Sequence, residues 1–134
     1  MLQTTTSLEQ LENDYWGIPT GESYLITTCC QLRQKPLKDF TPEDLRIMIG
    51  QNISLPYLIP LALTVLKQNI LAQGDFYPGD LLESVLRSDP QFWKQQPKLW
   101  TALRDLFLEK AATLGADDWP NRAVELFEAF QKLR

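Results

Sequence analysis

Thr41-Pro42-Glu43-Asp44-Leu45-Arg46-Ile47-Met48-Ile49-Gly50-Gln51-Asn52-Ile53-Ser54-Leu55-Pro56-Tyr57-Leu58-Ile59-Pro60-Leu61-Ala62-Leu63-Thr64-Val65-Leu66 reads as two consecutive helices and commits the chain to an all-α architecture. Thr41 is a good N-cap, Pro42 suits the first helical position, and Glu43 and Asp44 place negative charge where the helix dipole favours it. Leu45, Met48 and Ile49 recur at helical spacing, and the pattern ends near Gly50 to Asn52. Ser54-Leu55-Pro56 then opens a segment, running through Leu66 and Gln68, that is apolar on nearly every side. Such a helix belongs at the centre of a bundle. Pro60 lies inside it, so a kink, a fresh start or a 3₁₀ turn is predicted near Leu58 to Pro60.

The same grammar extends in both directions. Ser7 and Gln10 are spaced as a capping box for a short helix through Asn13, ended by Gly17. After the loop Gly17-Ile18-Pro19-Thr20-Gly21, a helix begins at Glu22 or Ser23, with Tyr24, Leu25, Thr28, Cys29 and Leu32 on one stripe. Arg33 and Lys35 sit near its C-terminus, where cations suit the dipole, and it stops before Pro36. Beyond the loop Gly74-Asp75-Phe76-Tyr77-Pro78-Gly79-Asp80, Asp80 reads as the N-cap of a helix carrying Leu81, Leu82, Val85 and Leu86. Asp89-Pro90 begins another, with Phe92 and Trp93. Pro97 interrupts it, and a longer helix then runs to Leu114, with Trp100, Leu103, Leu106, Phe107, Lys110, Ala111 and Leu114 along one side and Gly115 as its C′ residue. Asp117-Asp118-Trp119-Pro120 opens the last helix, whose apolar side is Ala123, Phe127, Phe130 and Leu133. No segment alternates as a strand does. The expectation is one α-helical domain over residues 1–134, a bundle of seven or eight short helices.

Composition narrows the chemistry. The 134 residues are 44% hydrophobic and 22% charged, an ordinary globular balance. The net charge of −4 disfavours a direct nucleic-acid reader, which needs a basic face, and suits a basic partner. There is no histidine, which removes the usual general base, the usual zinc ligand and every Ser-His or Cys-His nucleophile. Neither a catalytic residue, a metal site nor a cofactor is expected. Paired acids such as Asp75 with Asp80, or Asp117 with Asp118, lack the convergence from several elements that Mg²⁺ or acid–base work requires. Cys29 and Cys30 are neighbours, about 3.8 Å apart at Cα, below the roughly 4.4–6.8 Å of a disulfide. They read as small helix residues, at least one of them buried, in a reducing compartment. The N-terminal residues lack a signal-peptide pattern. The apolar run Leu55 to Leu66 is far shorter than the roughly 20 residues of a membrane span.

Two segments have the make-up of a protein-binding surface. Leu11-Glu12-Asn13-Asp14-Tyr15-Trp16-Gly17 sets Glu12 and Asp14 beside Tyr15 and Trp16 at a helix end. Tyr and Trp supply contact area with few rotors, and the acids select a basic partner. Trp16 is either part of that surface or, as Trp usually is, a core residue. In the second segment a loop stiffened by Pro78 presents Tyr77 between Asp75 and Asp80. There Asp80 has N-capping as a competing duty, and Phe76 reads as a core plug rather than a contact. The stripe of Phe92, Trp93 and Trp100 reads as core, not as a groove for a partner helix.

Taken in order, Leu11 to Gly17, Phe40 to Asn52, Leu58-Ile59-Pro60-Leu61-Ala62-Leu63 and Gly74 to Leu82 resemble a family of immunity proteins from bacterial contact-dependent growth inhibition systems. The resemblance covers about residues 7 to 100. It implies a cytoplasmic protein that binds the C-terminal toxin domain delivered by sibling cells, commonly a nuclease attacking RNA, and blocks it. The partner is then a basic toxin domain in a 1:1 complex, with no membrane and no direct nucleic acid. The resemblance brings no contact residues with it, so Glu12, Asp14, Tyr15, Trp16, Asp75, Tyr77 and Asp80 rest on the residue argument alone. Without the resemblance, a helical adaptor docking some other protein through the same loops fits these residues as well.

Overall fold

The computed structural model describes residues 5–17, 23–120 and 122–134. The loop over 18–21, the Glu22 helix start and the reading of the first four residues lie outside them. Eight α-helices follow one another among the described residues: α1 (Leu8–Glu12), α2 (Tyr24–Gln34), α3 (Pro42–Gly50), α4 (Leu55–Gln68), α5 (Asp80–Arg87), α6 (Pro90–Lys94), α7 (Pro97–Ala111) and α8 (Ala123–Gln131). Two 3₁₀ turns, Leu37–Asp39 and Ala116–Asp118, complete an all-α bundle. No helix here is long and apolar enough to cross a membrane.

The caps explain most of the boundaries. Ser7 and Gln10 close a reciprocal capping box on α1, and Thr41 and Asp44 close another on α3. Ser23 accepts from the Ile26 amide at the start of α2, and Asp89 accepts from Gln91 at the start of α6. Some expected boundaries move. α1 ends in a left-handed Asn13, φ 50°, rather than at Gly17. Gly115 is not a left-handed cap for α7; it lies extended and its amide donates to Asp118 Oδ2 at 2.7 Å. The residues 117–120 form a 3₁₀ turn and connector, and α8 begins only at Ala123.

The predicted break at Pro60 does not occur: α4 runs unbroken from Leu55 to Gln68. Magnitudes explain why. An interior proline costs about 3 kcal/mol. Leu58, Ile59, Ala62, Leu63 and Leu66, on both sides of Pro60, are all buried. Each large side chain among them returns about 1.5–3 kcal/mol on burial. Packing therefore outweighs the one backbone bond that proline removes.

α4 shares one core with Leu45, Met48 and Ile49 of α3 and Leu81, Leu82, Val85 and Leu86 of α5, but it is not enclosed all round as expected: Pro56 and Thr64 are exposed, and α5, with six of its eight residues buried, is the more enclosed helix. The aromatic stripe is core as expected. Trp93 meets Phe130 edge-on, Phe130 stacks on Trp100, and Phe107 stacks on both Trp119 and Phe127. Both buried indoles are satisfied, Trp93 by Ser88 Oγ at 2.8 Å and Trp100 by the Phe130 carbonyl at 3.1 Å. α2 departs from its predicted stripe. Only its C-terminal half packs, through Cys29, Cys30, Leu32 and Arg33, while Tyr24 and Leu25 face solvent. The two cysteines are buried free thiols, and burial pushes the Cys29 thiol up from its ordinary range.

Candidate partner-binding surface

The loop 74–80 is held by carboxylates. Four consecutive backbone amides donate to two side chains. Gly74 N–H donates to Asp80 Oδ1 at 2.6 Å, and Phe76 and Tyr77 donate to Asp80 Oδ2 at 3.1 and 3.4 Å. Asp75 N–H donates to Glu43 Oε1 at 2.8 Å. Asp80 is 4% exposed, so it is the clasp of the loop and not its outer surface. Nor is it the N-cap of α5. Gly79 holds that position with φ +89°, where a side chain would be strained and a Cβ would run into Pro120. The N-cap reading fails because the loop turns back over the helix start and brings its own amides to Asp80.

Glu43 does double duty. Besides the Asp75 amide it takes a two-pronged contact from Arg46, Nε at 2.6 Å and the terminal nitrogen at 2.5 Å. The Arg46 guanidinium holds the Glu43 carboxyl below its usual range, against a smaller opposing push from burial. Arg46 in turn lies 4.4 Å from the centroid of Phe76. Phe76 is 67% exposed, which corrects its reading as a core plug. The alternation of apolar and polar residues in so short a loop carries no period, so sequence alone assigns the ring to neither side.

Tyr77 is half-buried, and its hydroxyl donates to Glu83. That hydrogen bond raises the Tyr77 pKa above its ordinary value, with burial adding to it. Glu83 is 2% exposed and also accepts from the Arg122 amide at 3.1 Å, with Arg87 3.9 Å away. Asp75 extends into solvent.

A second cluster is built around Arg33, which is 1% exposed. Its guanidinium pairs with Glu12, donates to Ser54 Oγ at 3.2 Å and to the Asp14 carbonyl at 2.6 Å, and lies 3.9 Å from an Asp14 carboxylate oxygen. Ser54, itself left-handed at φ 54°, donates to Glu12 at 3.0 Å. Trp16 covers the guanidinium with its centroid 4.5 Å from Cζ, and its indole N–H donates to Asp14 at 3.4 Å. Trp16 is 45% exposed, so it caps this network and does not enter the core. Tyr15 and Asp14 are exposed. A hollow of about 370 Å³ is lined by Glu12, Asp14, Trp16, Arg33 and the 52–54 turn.

Both expected segments therefore carry ordered, polar-aromatic surfaces, but of the seven residues singled out only Asp14, Tyr15, Trp16 and Asp75 reach outward. Glu12, Tyr77 and Asp80 work underneath them. The supporting residues Arg33, Glu43, Arg46, Ser54 and Glu83 escaped the sequence reading. Arg33 alone left a signal: it follows Cys29 and Leu32 on the packed face, where an unpaired charge is untenable. The two clusters sit at opposite ends of α3, a nine-residue helix about 13 Å long. Among the described residues no group of three or more His, Cys, Asp or Glu side chains is placed to hold a metal ion.

The described surface thus carries two ordered outcrops with exposed aromatics, Trp16 and Phe76, each backed by an arginine paired with a carboxylate. A family model of CDI immunity proteins, those of contact-dependent growth inhibition, matches residues 10–103, and the chain belongs to that family. Its role is thus to bind and neutralise a cognate toxin. The matched segment includes both outcrops and the residues that support them except Pro120 and Arg122. No curated protein and no solved structure is similar enough to match.

Proposed function

We propose that this immunity protein neutralises a nuclease toxin, an RNase in the simplest case, by covering its active site or its substrate-binding face in a 1:1 complex in the cytoplasm. Asp14, Tyr15, Trp16 and Asp75 make the contacts. Glu12, Tyr77 and Asp80 hold them in place.

The observation that carries this reading is the surplus of carboxylate on the clamped loop. Among the described residues Glu43, Asp75, Asp80 and Glu83 stand against Arg46 and Arg87, with the Arg122 guanidinium near Glu83 but paired to Glu125. A nuclease must attract phosphate, so its cleft is positive, and a rigid acidic outcrop is steered toward it. Rigidity matters because ordering a loop on contact costs affinity. A complex of the usual size buries about 1,600 Å² in total, and α3, which supplies Glu43 and Arg46 to one outcrop and runs into the 52–54 turn of the other, is a short helix.

The test is co-purification with the toxin domain encoded beside this chain, followed by an RNA-cleavage assay and a competition between this protein and a non-cleavable RNA. The expected outcome is an equimolar complex, no cleavage and mutually exclusive binding. A complex that still binds RNA as tightly as the free toxin rules out occlusion. A complex without nuclease activity in the free toxin rules out the substrate class.

A further inference from the structure

The two outcrops are built the same way. In each, an arginine from the helix behind is paired with a carboxylate and places its guanidinium carbon over an exposed aromatic ring. Arg33 pairs with Glu12 and carries Trp16; Arg46 pairs with Glu43 and carries Phe76. A ring resting on such a pedestal is fixed in one orientation from below and open to solvent above. Phe76 is the clearer case, because its own amide and those of its neighbours Gly74, Asp75 and Tyr77 are all tied down. A phenyl ring kept in water forgoes its burial free energy. Within the chain the ring meets the Arg46 guanidinium, 4.4 Å from its centroid, which positions it without burying it.

We infer that Phe76 is a preformed anchor that enters an apolar pocket on the toxin domain whose rim carries Lys or Arg, and that Trp16 is a second anchor of the same construction at the other end of α3. This rests on the toxin-binding reading above. The apolar floor follows from the ring, which brings no hydrogen-bonding group. The basic rim follows from the exposed Asp75 beside it and from the surplus of carboxylates around the loop. Arg46 is a positioning residue: it touches the ring, and the ring touches the partner. Anchors of this kind, aromatic, rigid and inserted in a pocket, carry most of the energy of an interface and act chiefly on dissociation.

The experiment measures association and dissociation rates of this chain with the toxin domain encoded beside it, for wild type, F76A, F76L, R46K, R46K/F76A and D75K, each with its thermal melt. F76A is expected to dissociate at least about tenfold faster with an unchanged melting temperature, and F76L to fall between it and wild type. R46K keeps the charge but loses the planar face and the two-pronged Glu43 contact. It should speed dissociation on its own and add nothing in the F76A background. D75K should slow association, with the difference shrinking as salt rises. Should F76A unfold, F76L alone decides the matter. F76A or F76L within about twofold of wild type overturns the anchor while leaving toxin binding intact, as does an F76A that only abolishes self-association of this chain. A wild-type chain without affinity for the toxin domain overturns the functional reading, and this inference with it.

Discussion

The Tyr77 hydroxyl donates to the buried carboxylate of Glu83, and the same carboxylate accepts the backbone N–H of Arg122 at the start of α8. One carboxylate of α5 thus fastens the candidate binding loop, inside the family-matched segment, to a helix that lies beyond it. Packing runs the same way, with Pro120 filling the space beside Gly79. The C-terminal helix is in this sense part of the loop's foundation.

Tyr77→Phe removes the hydroxyl but leaves Glu83 its Arg122 partner. The expected loss is about 1–2 kcal/mol in urea unfolding. The sign of the pH effect follows from the raised Tyr77 pKa. The folded protein favours the protonated phenol. Its contribution is complete below the unfolded-state value near 10 and is lost as pH rises through the higher folded value. An ultraviolet titration of wild type should show a tyrosine ionisation displaced upward, and Tyr77→Phe should abolish that step.

Asp80→Ala leaves three loop amides without their acceptor. A loss of about 3 kcal/mol is expected, more than the roughly 1 kcal/mol of a simple cap. Faster hydrogen exchange at Gly74, Phe76 and Tyr77 should accompany it. A loss limited to the capping value, with exchange unchanged, would show that the clasp contributes nothing.

Glu43 titrates in the opposite sense to Tyr77. Its pKa is lowered in the folded state, first by the Arg46 hydrogen bond. The stability it contributes is present above the unfolded value near 4.3 and drains away as pH falls through the lower folded value. Acid unfolding of Glu43→Gln should be less steep over that window, and the Asp75 amide should exchange faster at neutral pH.

Arg33→Met strands Glu12 beside the core and is expected to cost about 2–4 kcal/mol. Replacing both partners, Arg33→Met with Glu12→Leu, should cost less than the sum of the single changes, because no unpaired charge remains. Chemical denaturation of the four proteins closes the cycle. Strict additivity would mean that Arg33 stabilises through its stem and its contacts with Ser54, the Asp14 carbonyl and Trp16, and not through Glu12.

Much of the fold was legible because it rests on short-range chemistry. Thr41 with Asp44 and Ser7 with Gln10 start helices through contacts three residues apart, and Pro97 separates α6 from α7 through its own ring. Such signals survive in any surroundings. Pro60 was misread for the converse reason: its local cost was correctly signed, but the burial of Leu58, Ile59 and Leu63 that overcomes it comes from other helices.

The sequence by itself determined the helical class, most helix starts, the aromatic core and the two segments rich in acids and aromatics. Only the tertiary structure decided which members of those segments face outward. Phe76 lies in water and Asp80 is buried because Glu43 and Arg46, thirty or more residues earlier in the chain, meet the loop from α3. Trp16 lies at the surface because Arg33 and Ser54 converge on Glu12 beneath it. Exposure of a loop side chain is set by whatever the fold brings to its back, and that partner leaves no mark at the residue's own position.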